Sequence, residues 1–206
     1  MEILKRTFIA AFLILLVFKL QAQTNSVLQK AFRNSYANEQ NKNYVAAISD
    51  IAPYYSDNNY ELNIRLGWLH YLSKNYTSSQ SYYQKAIGLK PGSIEAKFGY
   101  IKPLSFLQSW DKVIEQYLAI LKIDPQNTQA NYWAGVIYYN RKQYDAAIRC
   151  FKVVIALYPF DYDGNHMLAW SDLMAGRKAD AKPLFERALI IKPSDASSLD
   201  GLNRCN

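Results

Sequence analysis

The sequence predicts an all-α protein, an α-solenoid of antiparallel helix pairs. Three observations carry that prediction. Pro91, Pro125, Pro159 and Pro193 stand 34 residues apart, and a fixed period of that size marks a repeat architecture. Inside each interval the apolar residues recur at spacings of three and four, in two segments divided by a short polar break, which is the period of paired helices. Half of the 206 residues are apolar, with 17 Tyr, 9 Phe and 4 Trp, so the chain can bury a sizeable core and is far too apolar to be disordered.

The elements follow in chain order. Lys5 and Arg6 precede an apolar run from Phe8 to Phe18, after which Lys19, Gln21, Gln23 and Thr24 turn the chain polar. A basic start, an apolar stretch of this length and the small residue Ala22 predict a secretory signal peptide over residues 1–22. At about 1.5 Å per residue such a run falls short of a ~30 Å hydrocarbon layer. Lys19, close to the cleavage point, and Leu20, where a small residue is expected, keep an uncleaved N-terminal anchor as the alternative. Cleavage leaves an exported chain, periplasmic or extracellular. It removes Lys5, Arg6, Lys19 and Glu2 from a formal charge of +7.

Residues 23–59 read as a degenerate unit, in which Tyr44, Ala47 and Ile48 align with Tyr76, Ser79 and Gln80 after a two-residue deletion. Four full units follow at 60–93, 94–127, 128–161 and 162–195, and residues 196–206 look like a partial capping helix. In the first full unit Leu62, Leu66, Leu69 and Tyr71 mark one helix and Ser73, Lys74 and Asn75 the break. Tyr76, Tyr82, Tyr83, Ala86, Ile87 and Leu89 mark the second helix, which Lys90, Pro91 and Gly92 end. Tyr76, Trp110 and Tyr144 form one column in the 34-residue frame, and Tyr83, Tyr117, Phe151 and Phe185 a second. Ala86, Ile120, Val154 and Ala188 form a third. Gly67, Ile101, Gly135 and Ala169 form the fourth, where small residues let paired helices approach while the second column fills the volume between successive pairs. Pro103 is expected to kink the first helix of the second full unit.

The segments Leu66-Gly67 through Pro91 and Ala134-Gly135 through Pro159 resemble tetratricopeptide repeats, whose pattern is Leu-Gly, an aromatic, then Ala, Phe and Pro over 34 residues. The resemblance implies a right-handed superhelix whose first helices line a concave channel that holds partner segments. Mapped onto this chain, the inward positions are Ile64, Trp68 and Tyr71, then Phe98 and Lys102, then Tyr132, Val136 and Tyr139, then His166 and Trp170. Large aromatic rings serve as binding anchors because they bury much area with few torsions to freeze. Aromatics at helical spacing also serve as packing, and Trp133 and Tyr138 are expected in the core. A cationic cluster for a C-terminal carboxylate is not expected, since Lys102 and Arg65 are its only candidates.

Other chemistry finds little support. The sequence lacks a Gly-rich phosphate loop, GxSxG, HExxH and CxxC. His70 and His166 are three repeats apart and are not expected to share a metal, and Cys150 and Cys205 read as free thiols. Asp161 and Asp163 fall where Asp caps helices, and Asn75-Tyr76-Thr77 is only a three-residue sequon match. Lys90, Lys122, Lys152, Lys182 and Lys192 are dispersed, unlike a nucleic-acid footprint. The reading is therefore an exported, non-enzymatic scaffold without cofactor, holding a segment of another envelope protein against an aromatic wall. The alternative is a carbohydrate- or cell-wall-binding module using the same rings; an enzyme with an unrecognised site is the remote third.

Overall fold

The computed structural model describes residues 25–206, so the predicted signal peptide lies outside the described residues. These residues are helical, with one 3-10 turn and no strand, and none of their helices is long and apolar enough to cross a membrane. The chain divides into two compact units, the first ending at Pro91 and the second running from Gly92 to Asn206.

The first unit holds α1 (25–40), α2 (Tyr44–Ile51), a 3-10 turn (Ala52–Tyr54), α3 (Tyr60–Leu72) and α4 (Tyr76–Leu89). The second holds α5 (Ile94–Phe106), α6 (Trp110–Ile123), α7 (Thr128–Asn140), α8 (Tyr144–Leu157), α9 (Tyr162–Met174), α10 (Lys178–Ile191) and α11 (Ala196–Cys205). The repeat shows in the lengths: α3, α5, α7 and α9 each have 13 residues, and α4, α6, α8 and α10 each have 14. In both units, helices adjacent in the chain pack on one another.

Each start and stop has a local cause, repeated in the same frame. Asn59, Ser93, Asn127, Asp161 and Asp195 are the N-caps of α3, α5, α7, α9 and α11. Their side chains accept the N–H three residues on, at 2.6 to 3.0 Å, which satisfies an amide that the helix leaves orphaned. At the other end of the unit, the N–H groups of Lys90, Asp124, Tyr158 and Lys192 donate to the carbonyls of Ala86, Ile120, Val154 and Ala188. A proline follows each time and cannot continue the ladder. The break inside each unit turns through a left-handed residue: Lys74 (φ 63°), Gln108 (54°), Lys142 (59°) and Gly176 (80°).

A column of buried amides, unread in the sequence, ties each first helix to the turn before it. Asn63, Asn131 and Asn165 each donate Nδ2–H to two carbonyls: Asp57 and Asn59, Pro125 and Asn127, Pro159 and Asp161, all at 2.7 to 3.0 Å. Lys97 takes this place in α5 and is buried, which pushes its ammonium below the ordinary lysine value.

The small residues meet rings of their own helix pair. A Cβ on Gly67 would stand 2.9 Å from the Tyr83 ring, and one on Gly135 2.8 Å from Phe151. The aromatic column therefore closes the crossing inside each pair as well as the space between pairs. In the second unit Phe151 also packs with Leu168 of α9, and Phe185 with Leu202 of α11. Burying such a side chain stabilises by about 1.5–3 kcal/mol. The first unit's core is Ala31, Ala47, Ile51, Leu62, Leu66 and Leu69. α5 stays helical through Pro103, with Ser105 Oγ donating to the Ile101 carbonyl at 2.9 Å.

One expectation fails. Trp133 is not core: 46% of it is exposed, and it is not among the side chains packed on the cluster of Phe151 and Leu168. Tyr138 is half-buried against that cluster.

Candidate functional site

In the first unit the inward residues sit on α3. Ile64, Trp68 and Tyr71 are all half-buried. The Trp68 and Tyr71 rings stack at 5.6 Å with planes 28° apart, and Trp68 Nε1–H donates to Glu39 Oε1 at 2.6 Å. Glu39 also pairs with Arg65, whose guanidinium donates to Ser35 Oγ at 3.0 and 3.1 Å and lies 3.9 Å over the Tyr36 ring. Arg65 is thus buried and committed to α1. Its own role is to hold Glu39, which in turn fixes the Trp68 indole.

In the second unit the predicted residues fall on three successive first helices. Phe98 of α5 is half-buried against Tyr117, 6.4 Å away, whereas Lys102 is exposed. Tyr132, Val136 and Tyr139 of α7 rest on the cluster of Ala147, Ile148, Phe151 and Leu168, each keeping part of its surface open. Burial raises the Tyr132 and Tyr139 phenols above the ordinary tyrosine range, so both remain neutral O–H groups. His166 and Trp170 of α9 meet Ser197 of α11: His166 Nε2 lies 2.9 Å from Ser197 Oγ, and Trp170 Nε1–H points at both, 3.1 Å from each. The structure joins these residues within each helix and onto the following helices. All except Lys102 have one side in the packing, so they are stiff.

One concavity in this unit was only partly foreseen. A cleft of 640 Å³ opens where α6 and the end of α5 meet α7. Its walls include Trp110, Tyr117, Trp133 and Val136, of which only Val136 was predicted to face inward. Trp110 and Trp133 are 48% and 46% exposed. Gln108, Asn140 and the Arg141–Asp111 ion pair, 2.6 Å long, supply a polar rim. Burial pushes Tyr117 up to about 12, so the floor is uncharged. Apolar faces with a few polar groups at the edge hold ligands by contact area and orient them by hydrogen bonds.

Among the described residues no three His, Cys, Asp or Glu side chains gather as metal ligands. Cys150 and Cys205 are free thiols, both raised in pKa by burial and so unlike activated nucleophiles.

Two segments, 60–93 and 128–161, match the family model described as tetratricopeptide repeat. Those two segments are tetratricopeptide repeats. No curated protein matches it in sequence. Solved structures do match in shape. A tetratricopeptide repeat protein from Parabacteroides merdae superposes with a TM-score of 0.73 at 17% identity, over 87% of this chain and 72% of that one. MamA AMB-1 gives 0.71 at 17% identity, over 87% and 97%. Another MamA crystal structure gives 0.70 at 16% identity, over 84% and 95%. At such identities the likeness shows the fold, an α-solenoid of tetratricopeptide helix pairs. Proteins with such repeats are generally scaffolds that bind other proteins.

Proposed function

We propose that this repeat protein is an exported scaffold of the cell envelope, periplasmic in location, that binds a segment of another envelope protein on the aromatic faces of its first helices. The observation that carries the proposal is the cleft of the second unit, where two tryptophans stand nearly half exposed beside a neutral floor and a polar rim. Rings of that size left open to water cost hydration, and they are the residue type most enriched at binding hot spots. Besides Val136 in the cleft wall, the reading assigns Tyr132, Tyr139, His166, Trp170, Phe98 and Lys102 of the second unit to partner binding. Ile64, Trp68 and Tyr71 offer a separate aromatic face in the first. Binding would rest on apolar burial and a few hydrogen bonds, with no covalent step. Signal cleavage and export rest on the N-terminal sequence pattern alone.

A Trp110→Ala, Trp133→Ala double variant tests the reading. Both rings are half exposed, so the variant is expected to keep its helical circular dichroism and to lose partner capture from envelope extracts by a factor of about 30 or more, the loss of one hot spot. Unchanged capture would move the site off the cleft. Binding of the intact protein to a glycan array, with no protein captured, would favour the carbohydrate reading instead, since Gln108, Asn140 and Asp111 around indoles also suit sugars.

A further inference from the structure

Trp133 belongs to two openings at once. Besides the cleft, it lines a pocket of 380 Å³ where the first turn of α7 meets the start of α9. Tyr132 and Tyr158 are the other rings of this pocket and Asp161 and Asp163 its charges; no Lys or Arg lines it, although the chain carries a net +7. The rings are braced yet open. Tyr132 meets Phe151 edge-on at 5.8 Å and Trp133 at 5.2 Å, while Trp133 and Tyr158 are 46% and 59% exposed. Aromatic faces carry negative charge density and attract a cation that comes within about 6 Å of the ring centre.

The carboxylates beside these rings lack a counter-charge. Asp161 commits Oδ1 to the Gly164 N–H at 2.6 Å, and Asp163 is exposed. Neither forms an ion pair among the described residues. Lys192, which acts on Tyr162 and His166, is itself paired with Asp195 at 3.1 Å. Burial lowers the His166 pKa, so the imidazole that feels Asp163 is uncharged near neutral pH. Both carboxylates are felt at the pocket: after burial, the charges of Asp163 and Asp161 hold the Tyr132 phenol above its ordinary range. The N-termini of α7 and α9 add roughly half a positive charge each, less than the two full negative charges set against them.

We propose that this pocket takes a lysine or arginine side chain of the bound partner segment, its cation resting on the Trp133 and Tyr158 rings and pairing with Asp163, while the adjoining cleft takes an apolar side chain of the same segment. The inference rests on the partner-surface reading and gives that partner a chemistry: an apolar anchor with a basic residue beside it. Charge complementarity selects the occupant, since three rings and two unpaired carboxylates suit a cation and repel an acidic side chain.

The test titrates the full chain at low ionic strength with N-acetyl-arginine amide and with its uncharged isostere N-acetyl-citrulline amide. The readout is the Trp133 indole N–H resonance, assigned with Trp133→Phe. The arginine probe is expected to move it saturably and the citrulline probe to leave it in place. Asp163→Asn and Tyr158→Leu should each weaken the arginine probe about threefold, and Asp163→Lys about tenfold or more. Asp163 and Tyr158 are exposed, so these variants are expected to keep the helical circular dichroism of the parent. Equal shifts with both probes, an affinity unchanged by Asp163→Lys, or no saturable shift overturns the proposal. Saturable binding of tetramethylammonium chloride without the arginine probe would make the occupant a free quaternary ammonium ion, and overturns it too. Capture from envelope extracts separates this site from the surface it rests on. Capture lost in the Trp110, Trp133 variant but intact in Asp163→Lys overturns the cation site alone; capture intact in both overturns both.

Discussion

The pairs α5/α6 and α7/α8 are built to one plan and differ at three of its positions. In α7 the crossing point is Gly135, and the Phe151 ring lies so close that it is fully buried. In α5 the equivalent residue is Ile101, Tyr117 replaces the phenylalanine, and the two helices are in less extensive contact. The buried amide Asn131 of α7, with two turn carbonyls, is Lys97 in α5. The brick therefore tolerates a large residue at its waist when the helices stand apart, and the Trp110 and Trp133 cleft opens where the looser pair meets the tighter one. A repeat that departs from its own pattern thus makes a concavity that identical bricks would close.

The largest expected effect breaks that comparison directly. Phe151→Ala should cost about 3–5 kcal/mol, since it empties a closed site, while Tyr117→Ala should cost less because its surroundings are already loose. Urea denaturation of both variants checks this, and equal losses would mean that the two waists are packed alike.

The period, the helix pairs and the aromatic columns were legible because each recurs in one register and each has a local physical cause; of the five N-caps in that frame only Asp161 was read. The exposure of Trp133 was not. Tyr132, Trp133 and Val136 sit at neighbouring helical positions, and which of them faces Phe151 depends on how α7 and α8 meet, which no spacing along one helix records. The Asn63, Asn131 and Asn165 column was readable from its period, since amides inside apolar helix faces need partners, but Lys97 interrupts it. The Arg65, Glu39 and Trp68 chain joins residues nearly thirty apart and leaves no local signal.

Next in size are changes that carry one pair's choice into the other. Gly135→Ala places a Cβ 2.8 Å from a ring that has no room to move. Overpacking of about 1–3 kcal/mol, less the helix-propensity gain of about 1, predicts a net loss of up to about 2 kcal/mol. Asn131→Ala strips a buried donor from the Pro125 and Asn127 carbonyls and should cost about 1–3 kcal/mol. Thermal unfolding of each variant checks the size. If Asn131→Ala is silent, the amide column is incidental to the turn.

The smallest effect sharpens the comparison at the turns inside the pairs. Lys142 between α7 and α8 is left-handed at φ 59°, and Gly176 between α9 and α10 at φ 80°. A left-handed side-chain residue costs about 1–2 kcal/mol, while glycine loses more conformational freedom on folding, so Lys142→Gly should fall within about 0.5–1 kcal/mol of neutral. Gly176→Ala reverses both effects: a left-handed penalty of about 1–2 kcal/mol less about 0.5–1 kcal/mol of regained entropy leaves a loss of up to about 1.5 kcal/mol, although a Cβ there would touch nothing. The pair of substitutions separates backbone conformation from packing. Should Gly176→Ala prove neutral while Gly135→Ala does not, contact alone decides where this repeat requires glycine, and the left-handed turns, three of four built without it, carry no strain that matters to stability.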